Sequence, residues 1–354
     1  PTACDDSFTL RAFGAALVLT LLLLQAPVAR AVSQETWLVS NGAAAVDRFG
    51  WGVGPSCDVN GDGLDDVMIS APLSDVGGVN AGRVAVFFGS RPSPRSAAVD
   101  YFLPGQSPGE EFGYSLAPAG DVNGDGWADV IVGAPFNDAA GTDAGRAYVF
   151  FLGPNGDSVP DLALTGAAAG DNFGTSVSGA GDVNGDGYDD VIVGAPRNDA
   201  AGADAGRAYV FYGSAAPNSV ADLVFSGSPG GDLLGTWVAG GLAESGNWDV
   251  NGDGYGDAIV GAPLNDTGGV DAGIAYVFYG GASPDAIADL TLTGAVSGDQ
   301  FGASVRTLGD LNGDGYGDAI VGAPLNDTGG TDAGRAYVFY GGPLADAVAD
   351  LTLS

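Results

Sequence analysis

The sequence contains no histidine, which removes Ser-His-Asp and Cys-His catalysis and the common histidine-bearing zinc sites in one step. Cationic side chains are scarce. Eleven Lys and Arg face 44 Asp and Glu, for a net charge of −33. That field repels a nucleic-acid backbone, so no nucleic acid is expected as partner. Only two cysteines occur, Cys4 and Cys57. They are too few for a disulfide framework, and Cys57 reads as a small buried hydrophobe. Sustained helical periodicity is missing beyond the N-terminal segment. Strong acidity can also mark a disordered chain, but 45% of the residues are hydrophobic and they fall in short dense runs, which argues against disorder.

The N-terminus has the parts of a secretory signal. Arg11 precedes an apolar run from Ala12 to Leu24, and Ala29-Arg30-Ala31 offers a small-residue cleavage site. The run falls short of the roughly 20 residues a spanning helix needs. Residues 1–31 are therefore expected to be a signal peptide, with a retained membrane anchor as the other reading, and 32–354 the exported part. The expected location is secreted, extracellular or at the cell surface.

What is abundant is glycine, 62 residues, and it is distributed by repeat. Five units begin near residues 36, 99, 161, 222 and 289. Each runs from an apolar strand such as Leu290–Gly294, through a Phe-Gly pair and an acidic loop, to a β-rich run ending Gly-Ala-Pro. A polar loop with Asp-Ala-Gly then leads to a last apolar run such as Arg207–Gly213. The acidic loops begin at Asp58, Asp121, Asp182, Asp249 and Asp310, at intervals of 61 to 67 residues. The runs are short, rich in Val, Ile, Tyr and Phe, and bounded by Gly, Pro, Asn and Asp, which reads as strands and turns. Four strands per unit, repeated, predict an all-β propeller of four-stranded blades, five in this chain. Runs such as Tyr148–Phe151 are apolar on both faces, as expected of a strand covered by a blade on either side. Thr36–Ser40 reads as an additional outer strand, so the five blades are expected to be a fragment of a six- or seven-bladed ring; a five-bladed ring with a spare strand is the alternative.

Each acidic loop reads D-x-N-G-D-G-x-x-D and offers oxygens at positions one, three, five and nine: Asp58, Asn60, Asp62 and Asp66; Asp121, Asn123, Asp125 and Asp129; Asp182, Asn184, Asp186 and Asp190; Asp249, Asn251, Asp253 and Asp257; Asp310, Asn312, Asp314 and Asp318. Position seven can add its backbone carbonyl, from Leu64, Trp127, Tyr188, Tyr255 or Tyr316, with no demand on its side chain. Calcium wants six to eight oxygens, and Gly at position six permits the sharp turn around it. Three aspartates crowded in one loop would repel one another without a cation. About five Ca2+ ions are expected, in a structural role first. The loop starts like an EF-hand but lacks the bidentate Glu at position twelve, where Ile69, Val132, Val193, Val260 and Val321 stand.

Phe112-Gly113 with Gly133-Ala134-Pro135, Phe173-Gly174 with Gly194-Ala195-Pro196, and Phe301-Gly302 with Gly322-Ala323-Pro324 resemble FG-GAP repeats, as in the head of integrin α subunits. The first unit has Phe49-Gly50 with Ser70-Ala71-Pro72, and the fourth Leu234-Gly235 with Gly261-Ala262-Pro263. The resemblance implies a propeller with calcium in the loop joining the first two strands of a blade. It also implies recognition of a protein or glycan ligand on one face.

The expected function is therefore a non-catalytic, calcium-binding adhesion or ligand-binding module. The alternatives are the non-catalytic propeller part of a larger secreted phospholipase or polysaccharide-degrading enzyme, and a structural surface-layer component. An insertion before Asp249, with Glu244 and Trp248, breaks the repeat and makes those two residues ligand-site candidates. The recurrent Arg of Asp-Ala-Gly-Arg reads either as a ring facing a ligand or, more plainly, as an edge residue pairing with a nearby Asp and contributing little. Asn265-Asp-Thr267 and Asn326-Asp-Thr328 are glycosylation sequons that recur with the repeat.

Overall fold

The computed structural model describes residues 44–354, apart from 55–56, 90–98, 155, 229 and 242–247. All of them fall in the second of the chain's two units, Leu38–Ser354. The expected signal peptide, the expected strand at Thr36–Ser40 and Glu244 lie outside the described residues. Among the described residues there is no helix, and hence none long and apolar enough to cross a membrane.

Five antiparallel sheets follow one another along the chain as propeller blades. The first contains β1 (Val67–Ala71), β2 (Arg83–Phe87) and β3 (Tyr101–Pro104). The second runs β4 (Ser115–Gly120), β5 (Asp129–Ala134), β6 (Arg146–Phe150) and β7 (Leu162–Thr165). The third runs β8 (Ser176–Gly181), β9 (Asp190–Ala195), β10 (Arg207–Phe211) and β11 (Leu223–Ser226). The fourth runs β12 (Trp237–Gly240), β13 (Ala258–Ala262), β14 (Ile274–Phe278) and β15 (Leu290–Thr293). The fifth runs β16 (Ser304–Leu308), β17 (Asp318–Ala323), β18 (Arg335–Phe339) and β19 (Leu351–Leu353). The first strands of successive blades, β4, β8, β12 and β16, lie against one another.

In the first blade the inner place is taken by the segment 52–54, too short for a regular strand. Gly54 N donates to Met68 O at 2.9 Å and Ser70 N to Gly52 O at 2.9 Å. The segment carries glycine on the side that meets the second blade, because a Cβ on Gly52 or Gly54 would come within 2.8 or 2.7 Å of Leu116.

Each hydrophobic core is shared by two blades. Val84, Val86 and Leu103 of the first blade pack with Val130, Val132 and Phe150 of the second. Ile131 and Val149 face the other way, toward Val191, Val193 and Phe211 of the third. That is why β5 and β9 are buried at every position. The outward faces of the end blades differ. Trp51 and Val53 are 47% and 63% exposed in the first blade, and β19 is exposed throughout in the fifth.

The Phe-Gly and Asp-Ala-Gly motifs meet between blades. Phe173 N donates to Ala144 O at 3.1 Å, and a Cβ on Gly145 (φ +81°) would run into the Phe173 backbone. Glycine is required there by close approach and by its left-handed backbone together. The Phe ring then enters the core, where Phe173 meets Tyr209 edge-on at 5.5 Å.

The blade end opposite the acidic loops holds a second set of acids, each deep in the protein. Glu110 accepts from Asn137 Nδ2 and, at 2.8 Å, from Tyr148 Oη. Asp171 accepts from Asn198 Nδ2 at 2.7 Å, Asp232 from Asn265 and Asp299 from Asn326. All eight residues of these pairs are buried. Burial pushes the Asp232 carboxyl up, and the Asn265 donor pulls it back. In the first blade Ser74 stands in the Asn position, and Asp47 instead faces Arg83 at 3.8 Å.

The two sequon asparagines, Asn265 and Asn326, are members of these pairs. They are 3% and 2% exposed with Nδ2 already engaged, so neither is a glycan acceptor in the folded protein. Two of the recurrent arginines bond within their own blades. Arg146 Nε donates to Thr165 Oγ1 and Arg207 Nε to Ser226 Oγ, each at 3.1 Å. Their partners are hydroxyls rather than the aspartates expected from the sequence, while Arg83 lies beside Asp47.

Candidate metal centre: the acidic loops

Every acidic loop lies between the first and second strands of its blade, and all five fold alike. In the first, Asp58 Oδ1 accepts from Gly61 N at 2.8 Å and Asp62 N at 3.1 Å, while Oδ2 accepts from Gly63 N at 2.7 Å. Asn60 Oδ1 accepts from Asp62 N at 2.8 Å, and Asp62 Oδ1 from Leu64 N at 2.9 Å. Asn60 Nδ2 reaches Asp62 Oδ2 at 3.3 Å. Gly61 and Gly63 adopt φ of +75° and +80°, which lets the chain curl around the Asp58 carboxylate. The same bonds recur around Asp121, Asp182, Asp249 and Asp310. Positions one, three and five thus share one solvent-facing turn in each blade.

Position nine is placed differently. Asp66, Asp129, Asp190, Asp257 and Asp318 open or directly precede the second strand and are at most 1% exposed. Each spends both oxygens on backbone donors. Asp190 Oδ2 accepts from Val183 N at 2.9 Å, and Oδ1 from Gly213 N at 2.8 Å, at the end of the third strand. Burial pushes four of these carboxyls up, to about 6 for Asp66, about 8 for Asp129 and Asp190, and about 7 for Asp257. The backbone donors pull the other way, and repulsion from the aspartates at positions five and one adds to the rise. Asp310, in the open turn, is held below the ordinary value by the Gly315 N–H.

The donor set is all hard oxygen, one amide and three carboxylates per loop, and it fits a hard divalent cation. Among the described residues, however, no three acidic side chains converge tightly enough to define an ion's position, because the ninth aspartate is turned to the backbone. The geometry does not fix a number of ions.

The side chain at position seven is not free, contrary to the sequence expectation. The rings of Trp127, Tyr188, Tyr255 and Tyr316 lie over position four of the preceding blade's loop, where a Cβ on Gly61, Gly124, Gly185 or Gly252 would collide with them. The fifth such glycine, Gly313, has nothing within 4 Å of that point.

Trp248, the described member of the ligand-site pair, is 3% exposed and packs in the core between the fourth and fifth blades. Its indole N–H donates to Asp318 O at 2.7 Å. A cavity opens beside it, lined by Asp249, Arg306, Asp310 and Tyr316 among others. Sequence reasoning overlooked Arg306. It occupies the register position held by Ala117, Ser178 and Ala239 in the preceding blades, and its guanidinium sits 5.6 Å from the Trp237 ring. A charged residue at a repeat position otherwise small was the available signal.

These observations define a class: a propeller whose blades are entered through Phe-Gly turns, carry Gly-Ala-Pro at the end of the second strand and an acidic loop at one end. The FG-GAP repeat model matches at residues 49–87, 112–150, 173–211 and 301–339, leaving out the blade in which Leu234 replaces Phe. Integrin alpha-5 of Xenopus laevis is 32% identical over 246 residues, 64% of this chain and 20% of that protein. Integrin alpha-PS2 of Drosophila melanogaster is 34% identical over 224 residues, 59% of this chain and 15% of that protein. Integrin alpha-IIb of Homo sapiens is 36% identical over 172 residues, 45% of this chain and 15% of that protein. The matches thus span a fifth or less of these relatives' length. The chain carries four FG-GAP repeats and resembles the integrin alpha β-propeller.

Proposed function

We propose that this protein is a calcium-held, non-catalytic ligand-binding propeller that acts outside the cell or on its surface, exported by its N-terminal segment 1–31. The observation that carries the calcium reading is the fivefold recurrence of one Asp–Asn–Asp turn backed by a buried aspartate. Positions one, three, five and nine of each loop would hold the ion, helped by the backbone carbonyl of position seven. The ion supplies positive charge that offsets three crowded carboxylates and pins the turn between the first two strands. Extracellular calcium modules work at roughly 10⁻⁴–10⁻³ M, the affinity expected here.

The adhesion reading is supported by the likeness to integrin alpha chains. The ligand is a protein or glycan, and the cavity carrying Arg306 and Tyr316 is the place on this face where one would be seated. Two measurements test this. Direct ion counting on the purified chain in buffered calcium should find about five ions, one for each of the five loops; finding none removes the calcium reading. A screen against extracellular proteins and glycans should yield a ligand whose binding is lost in Arg306→Glu. A ligand indifferent to that change places recognition elsewhere.

A further inference from the structure

The acidic loops of blades two to five are tied one to the next by three kinds of contact, and the first loop is tied to the second by the first and third kinds, the Trp127 ring on Gly61 and Gly153 N to Val59 O at 2.8 Å. The first is the ring of position seven, seated on the position-four glycine of the preceding loop. The second is the N–H of position eight, which donates to the carbonyl of the preceding loop's first aspartate. Asp189 reaches Asp121 O at 3.1 Å, Gly256 reaches Asp182 O at 2.8 Å and Gly317 reaches Asp249 O at 2.9 Å. The third starts from the ninth aspartate. Asp190 holds Gly213 N, and the following N–H, of Ser214, donates to Val122 O in the preceding loop at 2.9 Å. Gly281 to Val183 O at 2.8 Å and Gly342 to Val250 O at 2.7 Å repeat it. The first of these contacts starts at the residue whose carbonyl would face an ion, the others lie beside positions seven and nine, and all end on the turn of the preceding loop.

We propose that the seventh-position aromatics are positioning residues that couple the loops in series, so that a divalent cation in one loop raises the affinity of the loop before it. The inference rests on the reading of the loops as cation sites. The residue whose carbonyl would contact one ion carries the ring that holds the Asn-Gly-Asp backbone of the neighbouring loop. Filling one loop therefore orders the preceding loop in advance, and an ordered site loses less conformational freedom on binding. Coupling is reciprocal, so each loop also favours the one after it. Among the described loops, Leu64 at position seven of the first is not aromatic and Gly313 of the fifth has no ring against it.

The test is calorimetric calcium titration of the full chain in wild type, Tyr188→Ala, Tyr188→Phe, Gly124→Ala and Gly313→Ala. Gly124 and Gly313 have matching φ, +77° and +81°, so the two alanines carry the same backbone strain and only Gly124→Ala displaces a ring. The wild type should fill more steeply than independent sites. Tyr188→Ala and Gly124→Ala should keep the ion count, flatten the curve and weaken one site about fivefold, the low end of typical coupling. Tyr188→Phe and Gly313→Ala should match wild type in steepness. Identical curves for wild type and Tyr188→Ala, with ions bound, overturn the coupling and leave the calcium reading standing. A wild type that binds no calcium overturns both.

Discussion

The two ends of a blade solve the same electrostatic problem in opposite ways. At the inward-looking end, Glu110, Asp171, Asp232 and Asp299 are buried, and each meets an asparagine amide supplied by its own blade. At the loop end, the aspartates at positions one and five stay in solvent and a third acid is buried beneath them with only backbone donors. The first arrangement is complete in itself. The second leaves several negative charges in one loop, which the proposed cations would offset. One end is satisfied by the chain's own amides, and the other is where the proposed ions would make stability depend on the surroundings.

That contrast predicts separable effects. The largest belongs to chelation. At ten to a hundred times its dissociation constant, each ion contributes roughly 1.4–2.7 kcal/mol. Removing several should lower the melting temperature by on the order of 10 °C or more. A melting curve unchanged by EDTA would erase the distinction between the ends. Next comes Asn198→Ala, which strips a buried carboxylate of its amide and should cost about 1–3 kcal/mol. The cost should be equal in calcium and in chelator; a cost that vanishes in chelator would mean the ends are not independent. Asp182→Asn should remove one ion from the count and cost about 1–2 kcal/mol in calcium but little in EDTA, as read by paired melts. The smallest effect is none at all. Expression in a glycosylating host should leave Asn265 and Asn326 unmodified by intact-mass measurement, because both are locked in the self-sufficient end.

Much of this could be read from the residues. The strands, the blades and the acidic turns follow from period, composition and turn chemistry. Position nine opens or directly precedes a strand, but its preference for backbone donors was not visible in the sequence, because Gly213 N lies just past the neighbouring strand of the sheet, 23 residues on. The ring at position seven was misjudged for a related reason. Its partner is a glycine one whole repeat earlier, and nothing local distinguishes a ring used for packing from one tolerated in solvent. The Asn of each Asn-Asp turn looked like loop punctuation or a sequon. Its buried acid sits just before the Phe-Gly pair, and only the folded blade brings the two together. Trp248 stood out by breaking the repeat and proved to be core.

Because every core is built from two successive blades, no blade is whole when it leaves the ribosome. Its forward face, with residues such as Ile131 and Val149, has no cover until the next repeat has been made. At roughly 5–20 residues per second that interval is on the order of several seconds per blade. Synthesis thus proceeds as a relay, each newcomer sheltering its predecessor and exposing a fresh sticky surface of its own. A pause in translation or a stalled export step would prolong that exposure, and chaperone engagement during biogenesis should recur with the spacing of the repeats.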